Sequence, residues 1–274
     1  MGGTDRVKQN NKVTIKDIAR EAGVSVATVS YVINNRTDLR ISDETRKKVQ
    51  QVIHLLNYSP NQAAQALAGK KKNVYAFSYF RSDSPLMKAN QLQTMEYLTE
   101  YFRKKDCECI ILNSDHPDKC DQADAIICYD VPSEYFYRLG DFNSIPLIAL
   151  DCFINDPLFF QINNDPQRLK REAADFFHGE SYLYVTFATK NHEKEMFLRR
   201  HFEDHFFIQE ADALNDISEE NILTTDPVIA DILARDHRVL YLPTVTEEKA
   251  DLLFECIELS QDRSRSLSQH DLYL

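Results

Sequence analysis

Residues 13–35 read VTIKDIAREAGVSVATVSYVINN, and this stretch decides how the rest of the chain is understood. Thr14 and Asp17 form a Thr-x-x-Asp start signal, with apolar Ile15, Ile18 and Ala19 behind it at helical spacing. Gly23 ends that helix because glycine tolerates the left-handed backbone a tight turn requires. Ser25 then caps a second helix running to about Asn34, with Val29, Val32 and Ile33 as its inner stripe. Two short helices joined through a glycine turn make a helix-turn-helix. A third helix starts at Ser42, with Asp43 and Glu44 at its positive end and Val49, Val52, Ile53 and Leu56 on its buried face.

If the second helix enters a DNA major groove N-terminus first, Val26, Ala27 and Tyr31 lie on its outer face. Ser25, Thr28, Ser30 and Asn34 are short hydrogen-bonders suited to phosphate oxygens. Val26 and Ala27 offer base edges only apolar contact, such as with thymine methyls. The direct code of this tip is therefore thin. The same pattern taken alone also fits a small helical bundle with no nucleic-acid role.

Downstream lies SPNQAAQALAG, residues 59–69. Ser59 suits an N-cap, Pro60 the first helical position, Gln62 a capping box and Gly69 the residue after the end. A helix that short is marginal alone in water. Its one large apolar residue is Leu67, and Lys70, Lys71 and Lys72 follow.

The run from Val13 to Gly69 resembles the LacI/GalR family of bacterial transcription repressors. The likeness combines the helix-turn-helix, the third helix, the NYSPN step at residues 57–61 and the short helix after it. The resemblance implies a homodimer that binds double-stranded operator DNA at a palindrome, with hinge helices that fold only on that DNA. It implies DNA contacts from Thr14, Lys16, Ser25, Val26, Ala27, Thr28, Ser30, Tyr31, Asn34, Asn61, Ala64 and Leu67. The leucine matching Leu67 wedges into the minor groove, where an apolar wedge kinks DNA at a cost of a few kcal/mol.

Charge divides the chain at the same place. Residues 1–72 hold 13 Lys and Arg against 6 Asp and Glu, a net of +7, while residues 73–274 carry −18. A basic head on an acidic body suits a head that meets a polyanion. No apolar run approaches the roughly 18 residues of a membrane span. The polar start, residues 1–12, reads as a disordered arm without a signal-peptide core. Six cysteines point to reduced thiols in a cytoplasmic protein, and the DNA binding that the resemblance implies would make it nucleoid-associated. Cys107, Cys109, His116, Cys120 and Cys128 match no paired zinc spacing, so neither a metal nor a cofactor is expected.

The expected architecture is an all-α helix-turn-helix head plus an α/β body. The domains are a disordered arm (1–12), a DNA-binding domain (13–58), a hinge helix with basic linker (59–72) and a body (73–274). In the body, NVYAFSYF, CECIILNS, ADAIICYDV, PLIALDCF, SYLYVTFAT, FFIQEAD and RVLYLPT read as strands. Helices are expected over 85–104, from Asp165-Pro166, over 192–205, and from Thr246 to Ile257. Such alternation implies parallel sheets. The resemblance implies periplasmic-binding-protein-like lobes around an effector cleft, here shortened. Lobe one is expected over about 73–157 plus the return 246–274, and lobe two over about 158–245, with a crossing near 155–160. Residues 113–128 leave little room for a helix, and about one strand-helix unit is lost or merged around 221–249.

By position, Asp151, Asn164, Arg199 and Asp226 are the effector-binding candidates. Carboxylates, amides and arginine suit sugar hydroxyls or phosphates. For Asp226, directly before Pro227, helix capping is the stronger reading. The expected function is a dimeric, sequence-specific transcription regulator whose body senses a sugar or sugar phosphate. The alternative keeps the DNA binding but makes the body a dimerisation platform or a dock for a partner such as a phosphocarrier protein. No phosphate loop, Rossmann fingerprint, nucleophile elbow or HExxH pair supports an enzyme.

Overall fold

The computed structural model describes residues 13, 15–33, 41–56, 72–112, 119–261 and 270–274. The chain divides into two compact units, Met1–Lys70 and Lys71–Leu274. In the first, α1 (Ile15–Ala22), α2 (Val26–Ile33) and α3 (Asp43–Leu55) close over a core of Ile18, Ala19, Ala22, Val29, Val32, Val49 and Val52. Gly23 takes φ +65°, and the Val24 amide returns to the Ala19 carbonyl, so the turn that reverses the chain is hydrogen-bonded. Ser42 caps α3 by accepting from the Thr45 amide at 3.2 Å. The expected arm and the expected hinge helix lie outside the described residues.

The second unit holds two parallel sheets. The first contains β1 (Val74–Tyr79), β2 (Glu108–Ile111), β3 (Ala125–Tyr129), β4 (Leu147–Leu150), β5 (Gln161–Asn163) and β10 (Asp271–Tyr273) in the order β10-β5-β4-β3-β1-β2. The second contains β6 (Leu183–Phe187), β7 (His205–Ile208), β8 (Asn221–Thr224) and β9 (Arg238–Tyr241) in the order β7-β6-β8-β9. Each sheet reverses its strand order once, between β1 and β3 and between β6 and β8. Clefts for ligands open outside the carboxyl ends of strands at such switch points.

Helices cover both faces of each sheet. On the first, α4 (Pro85–Lys104) and α9 (Glu247–Gln261) bury Met95, Leu98, Phe102, Leu253 and Ile257 against β1, β3 and β4. The opposite face receives Phe136 and Leu139 of α5 (Ser133–Phe142). On the second sheet, α6 (Pro166–Phe176) and α7 (His192–His201) contribute Leu169, Ala173 and Leu198 to one face. Ile229 and Leu233 of α8 (Pro227–Leu233) cover the other, joined by Leu86 and Met87 from the first turn of α4. One helix thus packs on both lobes.

Several expectations need correction. The chain crosses to lobe two after Asn163, not at 155–160. β5 pairs with β4 through Ala149–Gln161 and Leu150–Ile162, so it belongs to lobe one. Asn155 takes positive φ within the preceding turn, and Gln161 Oε1 accepts from the Ile154 amide to close that turn. The strand expected over 206–212 stops at Ile208 and is followed by a 3-10 helix, Ala211–Asp216. β10 was not expected. Among the described residues no helix lies between β2 and β3, and one strand-helix-strand unit spans 221–241.

Candidate functional site

In the head, the residues expected at DNA occupy the start of α2. Ser25 accepts from the Thr28 amide at 3.0 Å, and the two hydroxyls are 2.8 Å apart, so both already serve as the helix cap. Val26 is 41% exposed, Ala27 is exposed, and Tyr31 is half-buried. Lys16 is exposed on α1. α2 therefore buries Val29 and Val32 and presents an apolar tip ringed by small hydroxyls. Thr14, Asn34, Asn61, Ala64, Leu67 and the side chain of Ser30 lie outside the described residues.

The body builds a second site where the two lobes face each other. Asp130 follows β3 and Asp151 follows β4, both in the left-handed region with φ +47° and +53°. Asp tolerates that conformation better than most residues, and strain of this kind collects at functional sites. Lys194 reaches over from α7 of lobe two. Its Nζ donates to Asp151 Oδ2 at 2.6 Å and to Asp130 Oδ1 at 3.1 Å, and Thr189 Oγ1 donates to the same Asp130 oxygen at 2.7 Å. All three ionic side chains are 10–13% exposed. The two carboxylates hold the ammonium well above the ordinary lysine range against the opposing effect of burial, whereas burial raises the Asp130 carboxyl.

Asn191, the N-cap of α7, is fully buried and ties the same helix to lobe one. Its Nδ2 donates to the Val131 and Phe153 carbonyls at 2.9 and 3.0 Å. Its Oδ1 accepts from the amides of Lys194 and Phe153 at 2.8 and 3.3 Å. Phe153 also packs on Phe197 of α7 with ring centroids 4.5 Å apart.

Asp226 occupies the N-cap position of α8 but makes no side-chain capping bond, contrary to the capping expectation. Its carboxylate instead accepts from Asn90 Nδ2 at 2.9 Å, Thr186 Oγ1 at 2.6 Å and the Phe187 amide at 3.2 Å. Asn90 lies on α4, so this too is a link between lobes. Burial pushes the Asp226 carboxyl up to about 6 despite these donors.

A cavity of about 40 Å³ remains among these groups, bounded by Asp130, Asp151, Asn163, Asn164, Lys194 and Asp226 together with Tyr129, Phe153 and Tyr184. That is room for a few water molecules. Of the four candidates, Asp151, Asn164 and Asp226 line it. Arg199 does not. Its guanidinium pairs with Glu195 at 2.8 Å and stacks over Phe207, on the exposed side of α7. The sequence reading missed Asp130, Lys194 and Asn191. For Asp130 a signal existed, because ICYD at 127–130 and IALD at 148–151 both run an apolar strand into an aspartate.

Comparison with known proteins bears on both units. The family model for bacterial regulatory proteins of the lacI family matches residues 14–61. The HTH-type transcriptional regulator DegA of Bacillus subtilis is 54% identical over 65 residues, covering 24% of this chain and 19% of its own. The catabolite repressor/activator of Salmonella typhimurium is 31% identical over 188 residues, covering 62% of this chain; the chain thus spans about half, 55%, of that relative. Among solved structures, the lac repressor dimer bound to operator and an anti-inducer aligns over 96% of both chains with TM-score 0.44 and 16% identity.

Proposed function

We propose, for a chain that belongs to the LacI family of bacterial regulatory proteins, that it is a sequence-specific transcription repressor. In this reading it binds a palindromic operator as a homodimer and senses a sugar-like effector in the cleft of its body. The observation that carries the DNA half is the start of α2: a helix locked from behind by Val29 and Val32 presents exposed Val26 and Ala27 at its tip. The family is one of transcription regulators, not of enzymes. The site of action is then the cytoplasm, at the nucleoid. Residues 13–58 serve as the DNA-binding domain, 59–72 as hinge and linker, and 73–274 as sensor and dimerisation body.

The decisive experiment selects an operator from random duplex DNA and measures its affinity by fluorescence anisotropy. The expected product is an inverted repeat, because a two-fold dimer presents two equivalent heads. Affinity falls steeply between 50 and 200 mM salt, by on the order of 10³-fold for about six phosphate contacts. Leu67→Gly weakens operator binding sharply and leaves nonspecific binding nearly intact. A selected sequence without symmetry, or equal operator affinity of parent and variant, would reject the proposal.

A second reading is favoured by one specific observation. The cleft is closed by its own side chains, with Lys194, Asn191 and Asn90 each bridging the lobes. A body sealed in this way suits an effector-independent regulator whose lobes dock a partner such as a phosphocarrier protein. Titrating the operator complex with sugars, sugar phosphates and that protein separates the two: release by a small molecule supports the sensor, and response to the protein alone supports the dock.

A further inference from the structure

Among the described residues the cleft's self-made network leaves Asn90 Oδ1 unpaired beside Asp226, and it is least complete at the opposite end. Lys249, on the first turn of α9, is 1% exposed. Its Nζ donates to Asn164 Oδ1 at 2.8 Å, a neutral amide, and among the described residues it forms no ion pair. Next to Asn164 along the chain, Asn163 is 2% exposed, and among the described residues neither its Oδ1 nor its Nδ2 has a hydrogen-bond partner. Asn163 and Asn164 both line the cavity. A fully buried ammonium without a carboxylate in ion-pair contact and a buried amide without partners are each costly. Burial pushes the Lys249 ammonium down to about 8, opposed only in part by the Asp151 carboxylate.

We propose that Lys249, Asn163 and Asn164 form the seat for a single carboxylate of the effector, which is therefore a small hydroxylated carboxylic acid. The proposal rests on the reading of the body as an effector sensor and names its ligand class. The seat supplies what one carboxylate needs: a cation and an amide N–H. A phosphate fits less well. The cation lining the cleft, Lys194, is already held between Asp130 and Asp151, and among the described residues no arginine lines the cavity. A dianion would sit near these carboxylates and Asp226 with one uncommitted positive charge to offset it. Away from the seat the cavity offers carboxylate and hydroxyl oxygens at Asp130, Asp226 and Thr186, which accept from ligand hydroxyls. The present cavity admits only a few waters, so the acid enters with the lobes parted and replaces cross-lobe bonds as they close.

The test uses the full chain, Lys249→Met and Asn163→Ala, in two measurements. Without ligand, Lys249→Met raises the melting temperature, because an uncompensated buried cation gives way to an apolar chain of similar length. A lowered melting temperature would make Lys249 a structural group and overturn the proposal. Calorimetric titration then compares matched probes: glucose with gluconate, glycerol with glycerate, galactose with galacturonate, and glucose 6-phosphate. An acid binds while its neutral partner does not, and Lys249→Met weakens that acid by about 30-fold or more. Asn163→Ala weakens it by a smaller factor with little change in melting temperature. A neutral sugar or the phosphate ester binding equally to parent and Lys249→Met overturns the carboxylate seat but leaves the sensor reading intact. Absence of binding by every probe overturns both.

Discussion

Two buried lysines stand at the same cleft under opposite conditions, Lys194 lining it and Lys249 bonded to the lining residue Asn164. Lys194 stands between two carboxylates at 2.6 and 3.1 Å and is held charged. Lys249 has only the Asn164 amide, and burial lowers it to about 8. Residue type is the same and exposure is low in both, so the difference comes from what the opposing lobe brings. At Lys194, lobe one supplies Asp130 and Asp151 to a helix of lobe two, and the ion pair becomes part of the closure. At Lys249, the lysine sits on a helix of lobe one and donates to the Asn164 amide, with the Asp151 carboxylate acting on it without an ion-pair contact. A paired buried ion tells of structure; an unpaired one marks a place where something else belongs.

The largest expected effect comes from Lys194→Met. It strands two buried carboxylates at left-handed backbone positions, and breaking a buried ionic group in this way costs about 3–5 kcal/mol. For a unit of this size that lowers the melting temperature by about 10 °C, readable by scanning calorimetry. The opposite sign from Lys249→Met is the point of the comparison, and two lysine variants shifting the same way would break it.

Asn191→Ala should follow, with a loss of about 2–3 kcal/mol. It removes four hydrogen bonds and leaves the carbonyls of Val131 and Phe153 and the amide of Phe153 unsatisfied in a dry interior. Because these bonds are uncharged, the loss measured by urea denaturation is insensitive to salt. A loss that shrinks as salt rises would shift the weight of closure to ionic pairs.

How much of this could be read from sequence differs by region. The turn at Gly23 and the caps at Ser25 and Ser42 depend on residues within a few positions of one another, and the pattern carries them. The expected helix over 85–104 coincides with Pro85–Lys104 because a proline start and a long apolar period are both local. β5 escaped notice because Gln161-Ile162-Asn163 is three residues long and polar at both ends; only pairing with β4 makes it a strand. Lys194 hides in the charge-rich run HEKEMFLRRH, where it looks like a solvated face. Lys249 in TEEK looks the same, yet α9 packs on the first sheet and carries it inside. Arg199 drew attention as a cleft cation, but the helix turns it outward to Glu195. The cleft was legible where a strand ends in an aspartate and illegible where its groups come from distant helices.

Asp226 is the intermediate case, with three donors on its carboxylate and no cation within ion-pair distance among the described residues. Burial raises its folded pKa to about 6 from an ordinary value of 3.8. Below 3.8 both folded and unfolded forms are protonated. Between 3.8 and 6 the folded form keeps a proton the unfolded form has released, so stability falls as pH rises through that window. Above about 6 the cost is fully present. Wild type should therefore lose about 1–3 kcal/mol relative to Asp226→Asn between pH 4 and 7. Because the variant also perturbs the three donors, its absolute stability drops, but its pH slope lacks this component. Parallel pH curves for the two proteins would mean that the donors from Asn90, Thr186 and Phe187 fully offset burial, placing Asp226 with Lys194 among the satisfied ions. A diverging pair would place it with Lys249, as a group whose charge is still waiting for a partner.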